Sequence, residues 1–173
     1  GVAGLLGSHL AEYLLAKEYD VYGIDNLTGG YIENVPEKVK FYANDLENVK
    51  ELNRLFKKVE PDYVYHFAAY AAEGLSPFIR NFNYSNNLIC SVNVINECIK
   101  NNVKKIIFTS SMAVYGKGTP PFNETDRPEP EDPYGISKYA VEMDLAQANK
   151  QFDLDYSIIR PHNVVGIRQN IWD

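Results

Sequence analysis

Short apolar segments of strand character alternate with amphipathic segments of helical character along almost the whole chain. The segments typical of strands are residues 20–25, 39–43, 62–67, 104–109 and 156–160. The segments typical of helices are residues 4–17, 49–58, 82–101 and 133–150. A strand, a helix and a second strand in succession favour parallel pairing of the two strands, with the helix packed on the sheet. The sequence therefore predicts an α/β fold with a doubly wound parallel sheet and helices on both of its faces.

Length, charge and cysteine content restrict the class of protein. The chain has 173 residues, enough for one domain, and a formal net charge of −6, whereas a nucleic-acid-binding surface is basic. No apolar run approaches the roughly 18 residues that cross a membrane. Cys90 and Cys98 fall about 12 Å apart on one predicted helix, too far for a disulfide, which fits a reducing compartment. We therefore expect a cytoplasmic domain that binds neither nucleic acid nor a membrane. We expect no metal site, because no cluster of Cys and His residues has the spacing of zinc ligands.

The chain opens with GVAGLLG, in which Gly1, Gly4 and Gly7 directly precede a predicted helix. Glycines let the backbone approach a pyrophosphate, and the helix amino terminus offers it unpaired N–H groups. Asp25 closes the next predicted strand, where a carboxylate can accept hydrogen bonds from the adenosine ribose hydroxyls and would repel a 2′-phosphate. This order of features favours a dinucleotide site that prefers NAD to NADP. The alternative is a set of ordinary turn glycines with an acid at a strand end.

The segment PYGISK places Tyr134 and Lys138 four residues apart at the start of a predicted helix, so their side chains share one face. An ammonium group beside a phenol is expected to lower the pKa of Tyr134, which could then exchange a proton with a sugar or alcohol hydroxyl. Ser111 follows a predicted strand at its carboxyl end, where open parallel sheets bind ligands. Tyr13 and Lys17 have the same spacing, so spacing alone is not specific. We expect that second pair to lie on the surface.

Eight short segments, taken in their order along the chain, match the motifs of a known protein family. They are GVAGLLGSHL, GIDNLTGG, ANDL, HFAAYAAEG, NYSNN, FTSSMAVYG, PYGISK and RPHNVVG. As an ordered set they resemble the extended short-chain dehydrogenase/reductase family, and most closely its nucleotide-sugar epimerases of the UDP-glucose 4-epimerase type. The resemblance covers almost the whole chain. It implies a Rossmann-type NAD-binding domain over residues 1–173.

The resemblance also implies which residues bind the cofactor NAD. They are Gly1, Gly4, Leu5, Leu6, Gly7, Asp25, Asn26, Asp45, Leu46, Phe67, Ala68, Ala69, Asn86, Thr109, Tyr134, Lys138 and His162. Backbone groups of residues 5–6 should meet the pyrophosphate. Residues 25–26 should hold the adenosine ribose and residues 45–46 the adenine, while residues 67–69 and Asn86 should line the cofactor.

The catalytic residues implied by the resemblance are Ser111, Tyr134 and Lys138. Tyr134 would be the acid and base, Lys138 would tune it and bind the nicotinamide ribose, and Ser111 would orient the sugar hydroxyl. His162 would lie at the nicotinamide and Asn163 at the substrate phosphates, so that Ser111, Tyr134 and Asn163 bind substrate. The implied reaction is 4-epimerisation of a UDP-hexose through a transient 4-keto sugar, with NAD regenerated.

The residues after Ser111 help to choose among reactions. Related dehydratases resemble S-T-D-E-V-Y-G at this place, and their two acids drive loss of water, whereas this chain has Met112 and Ala113. Because neither side chain can move a proton, we expect an epimerase rather than a dehydratase or a decarboxylase. Two alternatives stay open: another nucleotide-sugar oxidoreductase or dehydratase of the same family, and a non-catalytic NAD-sensing domain.

The resemblance implies a strand before Gly1 and a smaller substrate domain after Asp173. We therefore expect the chain to be a fragment, truncated at both ends, that is poorly stable and inactive by itself. The full-length protein is expected to form a homodimer through two long helices, for which residues 82–101 and 133–150 are the candidates.

Overall fold

The computed structural model describes residues 1–169, and its strands and helices follow the predicted order. The strands are β1 (Tyr22–Asp25), β2 (Lys40–Ala43), β3 (Tyr63–His66), β4 (Lys105–Thr109) and β5 (Asp155–Ile159). The helices are α1 (Leu5–Ala16), α2 (Val49–Val59), α3 (Arg80–Tyr84), α4 (Cys90–Lys100) and α5 (Pro133–Phe152). The ends of the elements differ from the predicted ends by only one or two residues.

The long helix predicted over residues 82–101 is found as α3 and α4, joined by a π-helical turn at Ser85–Ile89. Single π-turns inside α-helices occur frequently at functional sites. The apolar pattern did not reveal this turn, because one wider turn barely changes the helical period. Cys90 and Cys98 are both buried free thiols on α4, as predicted.

All strand pairs are parallel, as predicted, but the described strands form two sheets. β1 pairs with β2, with Asp25 opposite Ala43, and β4 lies between β3 and β5. The first residues lie between the two sheets. The amide N of Val2 donates to the Ile24 carbonyl oxygen at 3.2 Å, and a Cβ on Gly1 would lie 2.6 Å from the amide N of Ala68, just after β3. The carboxyl ends of β1 and β3 therefore meet around Gly1.

Two apolar clusters hold the helices on the sheets. The larger one joins α2, α4 and α5 to β4, and the smaller one joins α1 to β1 and β2. Ile24 packs against the larger cluster and Phe41 against the smaller one, so helices cover both faces of the β1–β2 sheet. On the other sheet, Tyr63 and Tyr65 leave 53% and 40% of their surface exposed. Within residues 1–169, no helix combines the length and the apolar content needed to cross a membrane.

Candidate active site

A cleft opens at the carboxyl ends of β1, β2 and β3. It brings together ten of the predicted cofactor-binding residues, namely Gly1, Gly4, Asp25, Asn26, Asp45, Leu46, Phe67, Ala68, Ala69 and Asn86. Their convergence from five separate segments is what a nucleotide site requires, and their contact with a cofactor stays a prediction. Leu5, Leu6 and Gly7 lie in the first turn of α1 but do not line this cleft.

Further residues line the cleft that sequence reasoning did not assign to the site: Ile24, Thr28, Gly29, Gly30, Asn44, Tyr70 and Cys90. The turn after Asp25 belongs to one of the segments that carried the resemblance, so Gly30 could have been noticed. A Cβ on Gly30 would lie 2.7 Å from the carbonyl carbon of Ala3, and only a glycine permits so close an approach. This turn therefore packs directly on the glycine-rich segment.

The glycine-rich segment makes a closely packed turn at the start of α1. A Cβ on Gly7 would lie 2.0 Å from the carbonyl oxygen of Gly1, so a larger residue there would displace the turn. Gly4 is the N-cap residue and provides no side-chain cap, which leaves N–H groups of the first helical turn available to a ligand. The positive end of the helix dipole points the same way, and this arrangement suits a phosphate.

Asp25 joins the glycine turn to the end of β1. Its carboxylate is buried, with Oδ2 accepting from Ala3 N at 2.9 Å and Oδ1 accepting from Leu27 N at 2.8 Å. Each oxygen retains a lone pair for a further donor such as a ribose hydroxyl. Next to it, Asn26 Nδ2 donates to Asp45 Oδ2 at 2.9 Å, so the residues predicted for the ribose and the adenine are linked directly.

Tyr134 and Lys138 lie on one face of α5, and both are buried, with 8% and 2% of their surface exposed. The helix begins at Pro133, and the Asp132 side chain caps it by accepting from Gly135 N at 2.9 Å. Ser111 caps a short 3₁₀ turn, Met112–Tyr115, with its hydroxyl accepting from Ala113 N at 3.1 Å. A hydrogen bond between the Ser111 and Tyr134 side chains brings the three predicted catalytic residues together just beyond β4, although none of them lines the cleft.

The pKa of Tyr134 is raised, and the predicted lowering is wrong. Burial is the largest cause, and the carboxylates of Glu73 and Asp132 also raise the pKa, whereas the hydrogen bond with Ser111 lowers it. Burial also lowers the pKa of Lys138 to about 7, so this group is only partly charged at neutral pH. Its Nζ lies 5.7 Å from the centre of the Tyr134 ring. Desolvation of both groups thus outweighs the charge effect that the sequence suggested.

Thr109 offers a polar atom that fits a bound ligand. Its side-chain oxygen is buried and has no hydrogen-bond partner among the described residues. Buried hydroxyls are nearly always hydrogen-bonded, and the carbonyl oxygen of this residue already receives the Lys138 ammonium at 2.8 Å. An unpaired hydroxyl beside Lys138 is consistent with the predicted place of the nicotinamide ribose.

His162 and Asn163 are exposed and do not line the cleft. The ring nitrogen Nδ1 of His162 accepts from Asn163 N at 2.7 Å. The preceding carbonyl, of Pro161, accepts from Met112 N at 3.1 Å, which holds this segment beside the Ser111 turn. Their predicted roles at the nicotinamide and the substrate stay predictions.

A chain of buried polar side chains, not assigned to the site from the sequence, connects the cleft to the start of α5. Asn83 Nδ2 donates to the Pro133 carbonyl oxygen at 2.9 Å, and Asn87 Nδ2 donates to Asn83 Oδ1 at 2.8 Å. Asn87 also receives the amide N of Tyr70 at 2.7 Å and donates to its carbonyl oxygen at 3.0 Å. Because Tyr70 lines the cleft, one helix face positions both the cleft wall and the residue before Tyr134.

The second Tyr–Lys pair behaves as predicted. Tyr13 is 60% exposed, and Lys17 Nζ lies 5.7 Å from the centre of its ring. Neither residue lines the cleft. The same sequence spacing thus gives a surface pair on α1 and a buried pair on α5.

Comparison with known families matches residues 1–171 to the NAD dependent epimerase/dehydratase family. The chain belongs to this family. Membership in the epimerase/dehydratase family confirms the resemblance stated from the sequence and agrees with the parallel α/β architecture.

Similar proteins include several 4-epimerases. The UDP-glucose 4-epimerase of Lacticaseibacillus casei is 34% identical over 170 residues, covering 96% of this chain and 50% of that protein. The structure of a UDP-glucose 4-epimerase with UDP-glucose from Thermotoga maritima matches with a TM-score of 0.97 and 36% identity, covering 100% of this chain and 57% of that one. The NAD complex of Thermus thermophilus UDP-glucose 4-epimerase matches with a TM-score of 0.95 and 35% identity, covering 98% and 56%. The chain thus spans about half the length of these relatives.

Proposed function

We propose that the intact protein containing this chain is an NAD-dependent nucleotide-sugar 4-epimerase that acts on a UDP-hexose. The observation that carries the proposal is the convergence of Ser111, Tyr134 and Lys138 at the end of β4, beside a cleft built like a dinucleotide site. The similarity to UDP-glucose 4-epimerases supports the same reaction.

The cleft residues fit NAD by their chemistry. The turn around Gly1 and Gly4 and the start of α1 suit the pyrophosphate, and Asp25 suits the adenosine ribose. A buried carboxylate at this position disfavours a 2′-phosphate, which supports NAD over NADP. The unpaired hydroxyl of Thr109 and the ammonium group of Lys138 suit the nicotinamide ribose. Bound NAD would supply reversible hydride transfer at the sugar C4.

The chain itself would handle the proton at the C4 hydroxyl. Ser111 would hold the sugar oxygen by a hydrogen bond while the Tyr134 phenolate accepts its proton, and Tyr134 would return that proton in the second half of the reaction. Because burial raises the pKa of Tyr134, the phenolate needs a nearby positive charge, and protonated Lys138 is the closest candidate on its helix. The low exposure of both residues keeps water away from the proton transfer.

The turn after Ser111 supports epimerisation over dehydration. Ala113 is buried and Met112 is half-buried, and neither side chain can donate or accept a proton. Elimination of water from a 4-keto sugar needs an acid and a base beside the ring. This turn supplies neither, so the 4-keto sugar would be reduced again rather than dehydrated.

We further propose that residues 1–173 form the NAD-binding part of the protein and that a substrate domain lies outside them. The half-length match to the relatives supports this division. A homodimer is proposed through the outer faces of the long helices, where Phe82, Ile89, Ile136 and Met143 are exposed apolar residues. Cytoplasmic location is proposed because both cysteines are buried free thiols.

The reaction is tested by incubating the intact protein with UDP-galactose and separating the nucleotide sugars formed. We expect UDP-glucose, with no net consumption of NAD or NADH because epimerisation is redox-neutral. A 4-keto-6-deoxy product would indicate a dehydratase instead, and stoichiometric reduction of added NAD would indicate another oxidoreductase. NAD binding without conversion of any nucleotide sugar would favour the sensing domain.

A further inference from the structure

A largely buried ion pair that no proposed chemical step uses lies beside the 3₁₀ turn Met112–Tyr115, which Ser111 caps and which we call the catalytic turn. Glu142 on α5 is 5% exposed, and Arg160 directly follows β5. Arg160 donates to both carboxylate oxygens of Glu142, from Nε to Oε1 at 2.9 Å and from Nη2 to Oε2 at 2.5 Å. The pairing raises the pKa of the Arg160 guanidinium, which stays charged. Two parallel hydrogen bonds of this kind fix the relative orientation of the two groups.

The carboxylate of this pair also holds the residue before Ser111. The Ser110 hydroxyl donates to Glu142 Oε1 at 2.5 Å, and the Ser110 amide donates to the Ile159 carbonyl oxygen at 2.8 Å. Ser110 is 1% exposed. The amino-terminal side of the catalytic turn is therefore fixed through both its side chain and its backbone.

The arginine of the pair holds the other end of the same turn. Arg160 Nη1 donates to the hydroxyl oxygen of Tyr115 at 2.7 Å, and Tyr115 is the last residue of the 3₁₀ turn that Ser111 caps. The next residue, Pro161, accepts from Met112 N at 3.1 Å. Glu142 and Arg160 thus hold the segment from Ser110 to Tyr115 at both of its ends.

Helix geometry connects this pair to the proposed base. Tyr134, Lys138 and Glu142 are spaced at intervals of four residues and lie on one face of α5. Glu142, which holds the Ser111 turn, is therefore on the same rigid helix as Tyr134, which Ser111 must contact. A buried ion pair is weak evidence for stability, because the loss of hydration offsets much of the attraction. Its two side-chain hydrogen bonds to the segment, one to Ser110 and one to Tyr115, favour a positional role.

We propose that Glu142 and Arg160 are positioning residues that hold the Ser111 hydroxyl in place against the Tyr134 phenol. This proposal rests on the proposed function only in its kinetic test, which measures the conversion of a nucleotide sugar. If it is correct, Glu142 and Arg160 act through Ser111 and contact neither substrate nor cofactor.

The test is a double-mutant cycle in the intact protein. We expect Glu142→Gln to lower kcat about tenfold, with KM for the nucleotide sugar and Kd for NAD changed less than about twofold. In a Ser111→Ala background the same substitution should change kcat less than about twofold, because the group being positioned is gone. An equal loss of kcat in both backgrounds would overturn the proposal, and so would no loss in the first.

Glu97→Gln is the matched control for loss of a buried carboxylate. Glu97 is 1% exposed and accepts from Lys100 Nζ and Asn53 Nδ2, both at 2.8 Å, on α4 away from the Ser111 turn. We expect it to lower the melting temperature without lowering kcat. A loss of kcat equal to that of Glu142→Gln would assign both effects to general instability. If Glu142→Gln does not fold, Ser110→Ala and Arg160→Lys replace it in the same cycle.

A second readout does not depend on knowing the substrate. Hydrogen–deuterium exchange of the amides in residues 110–116 should quicken at least about tenfold in Glu142→Gln and stay unchanged in Glu97→Gln. Unchanged exchange in Glu142→Gln would overturn the proposal whatever reaction the protein catalyses. Quicker exchange in a protein that converts no UDP-hexose would contradict the proposed function and leave the positional role of the pair supported.

Discussion

Lys138 Nζ donates a hydrogen bond to the carbonyl oxygen of Thr109 at 2.8 Å, which connects the helix that carries Tyr134 to the end of β4. Lys138 leaves only 2% of its surface exposed, and its Nζ also lies 4.9 Å from the centre of the Phe108 ring. A carbonyl oxygen and an aromatic ring offset only part of the hydration that the charge loses. This explains why burial lowers the pKa of Lys138 to about 7.

The lowered pKa of Lys138 predicts a pH dependence of stability. Between about pH 7 and the ordinary Lys pKa of 10.5, the unfolded chain binds a proton at this position that the folded protein does not bind. The free energy of unfolding therefore rises with pH across this window because of Lys138. We expect the stability of the unsubstituted protein, relative to Lys138→Met, to increase from pH 7 to pH 9.5 in denaturant titrations. Parallel pH curves for the two proteins would contradict the expectation.

The close packing of Gly7 predicts a loss of cofactor affinity when it is enlarged. In Gly7→Ala the new methyl group would lie 2.0 Å from the Gly1 carbonyl oxygen, so the turn must shift at a cost of about 1–3 kcal/mol. We expect the Kd for NAD, measured by calorimetry, to rise at least about tenfold. Gly74→Ala is the control, because no atom lies within 4 Å of its added Cβ. Equal Kd values for NAD in the two variants would show that the glycine-rich turn does not contribute to NAD binding.

We expect loss of the Asn83 side chain to lower the free energy of unfolding. Asn83 is 1% exposed, and its amide donates to the Pro133 carbonyl oxygen and accepts from Asn87. Asn83→Ala removes both of these buried hydrogen bonds and leaves one N–H of the Asn87 amide without its acceptor, which lowers the free energy of unfolding by about 1–3 kcal/mol. Asn81→Ala, at an exposed position of α3, should change it by less than about 0.5 kcal/mol. Thermal melts compare the two, and matching melting temperatures would show that the polar chain contributes nothing.

The elements of the fold that depend on local pattern were predictable. Alternation of apolar segments predicted the strands and helices to within one or two residues, since each element is set by its own periodicity and end signals. The exception is the helix predicted over residues 82–101, which the π-helical turn Ser85–Ile89 divides in two. Pro133 marked the start of α5, as expected for a residue whose missing N–H costs nothing in the first turn. Asp25 could be placed because the end of its strand is a local feature.

The features that depend on distant contacts were not predictable. The Lys138 ammonium meets the Thr109 carbonyl from another element, and the burial that reverses the pKa shift of Tyr134 arises only once β4 and α5 pack together. Glu142 and Arg160 are 18 positions apart, and charged residues are usually exposed, so no sequence signal marked them as a buried pair. Nonlocal packing, rather than propensity, decides these contacts.

Tyr134, and not Tyr13 of the similar surface pair, is the residue that we propose moves the proton at the sugar C4. The decisive measurement compares the rate of UDP-galactose conversion by the intact protein with the rates of Tyr134→Phe and Tyr13→Phe, at saturating NAD. We predict that Tyr134→Phe loses at least about a hundredfold in kcat, as expected for removal of a general acid and base, while it retains its affinity for NAD. Tyr13→Phe should match the unsubstituted protein. Undiminished conversion by Tyr134→Phe would contradict the account.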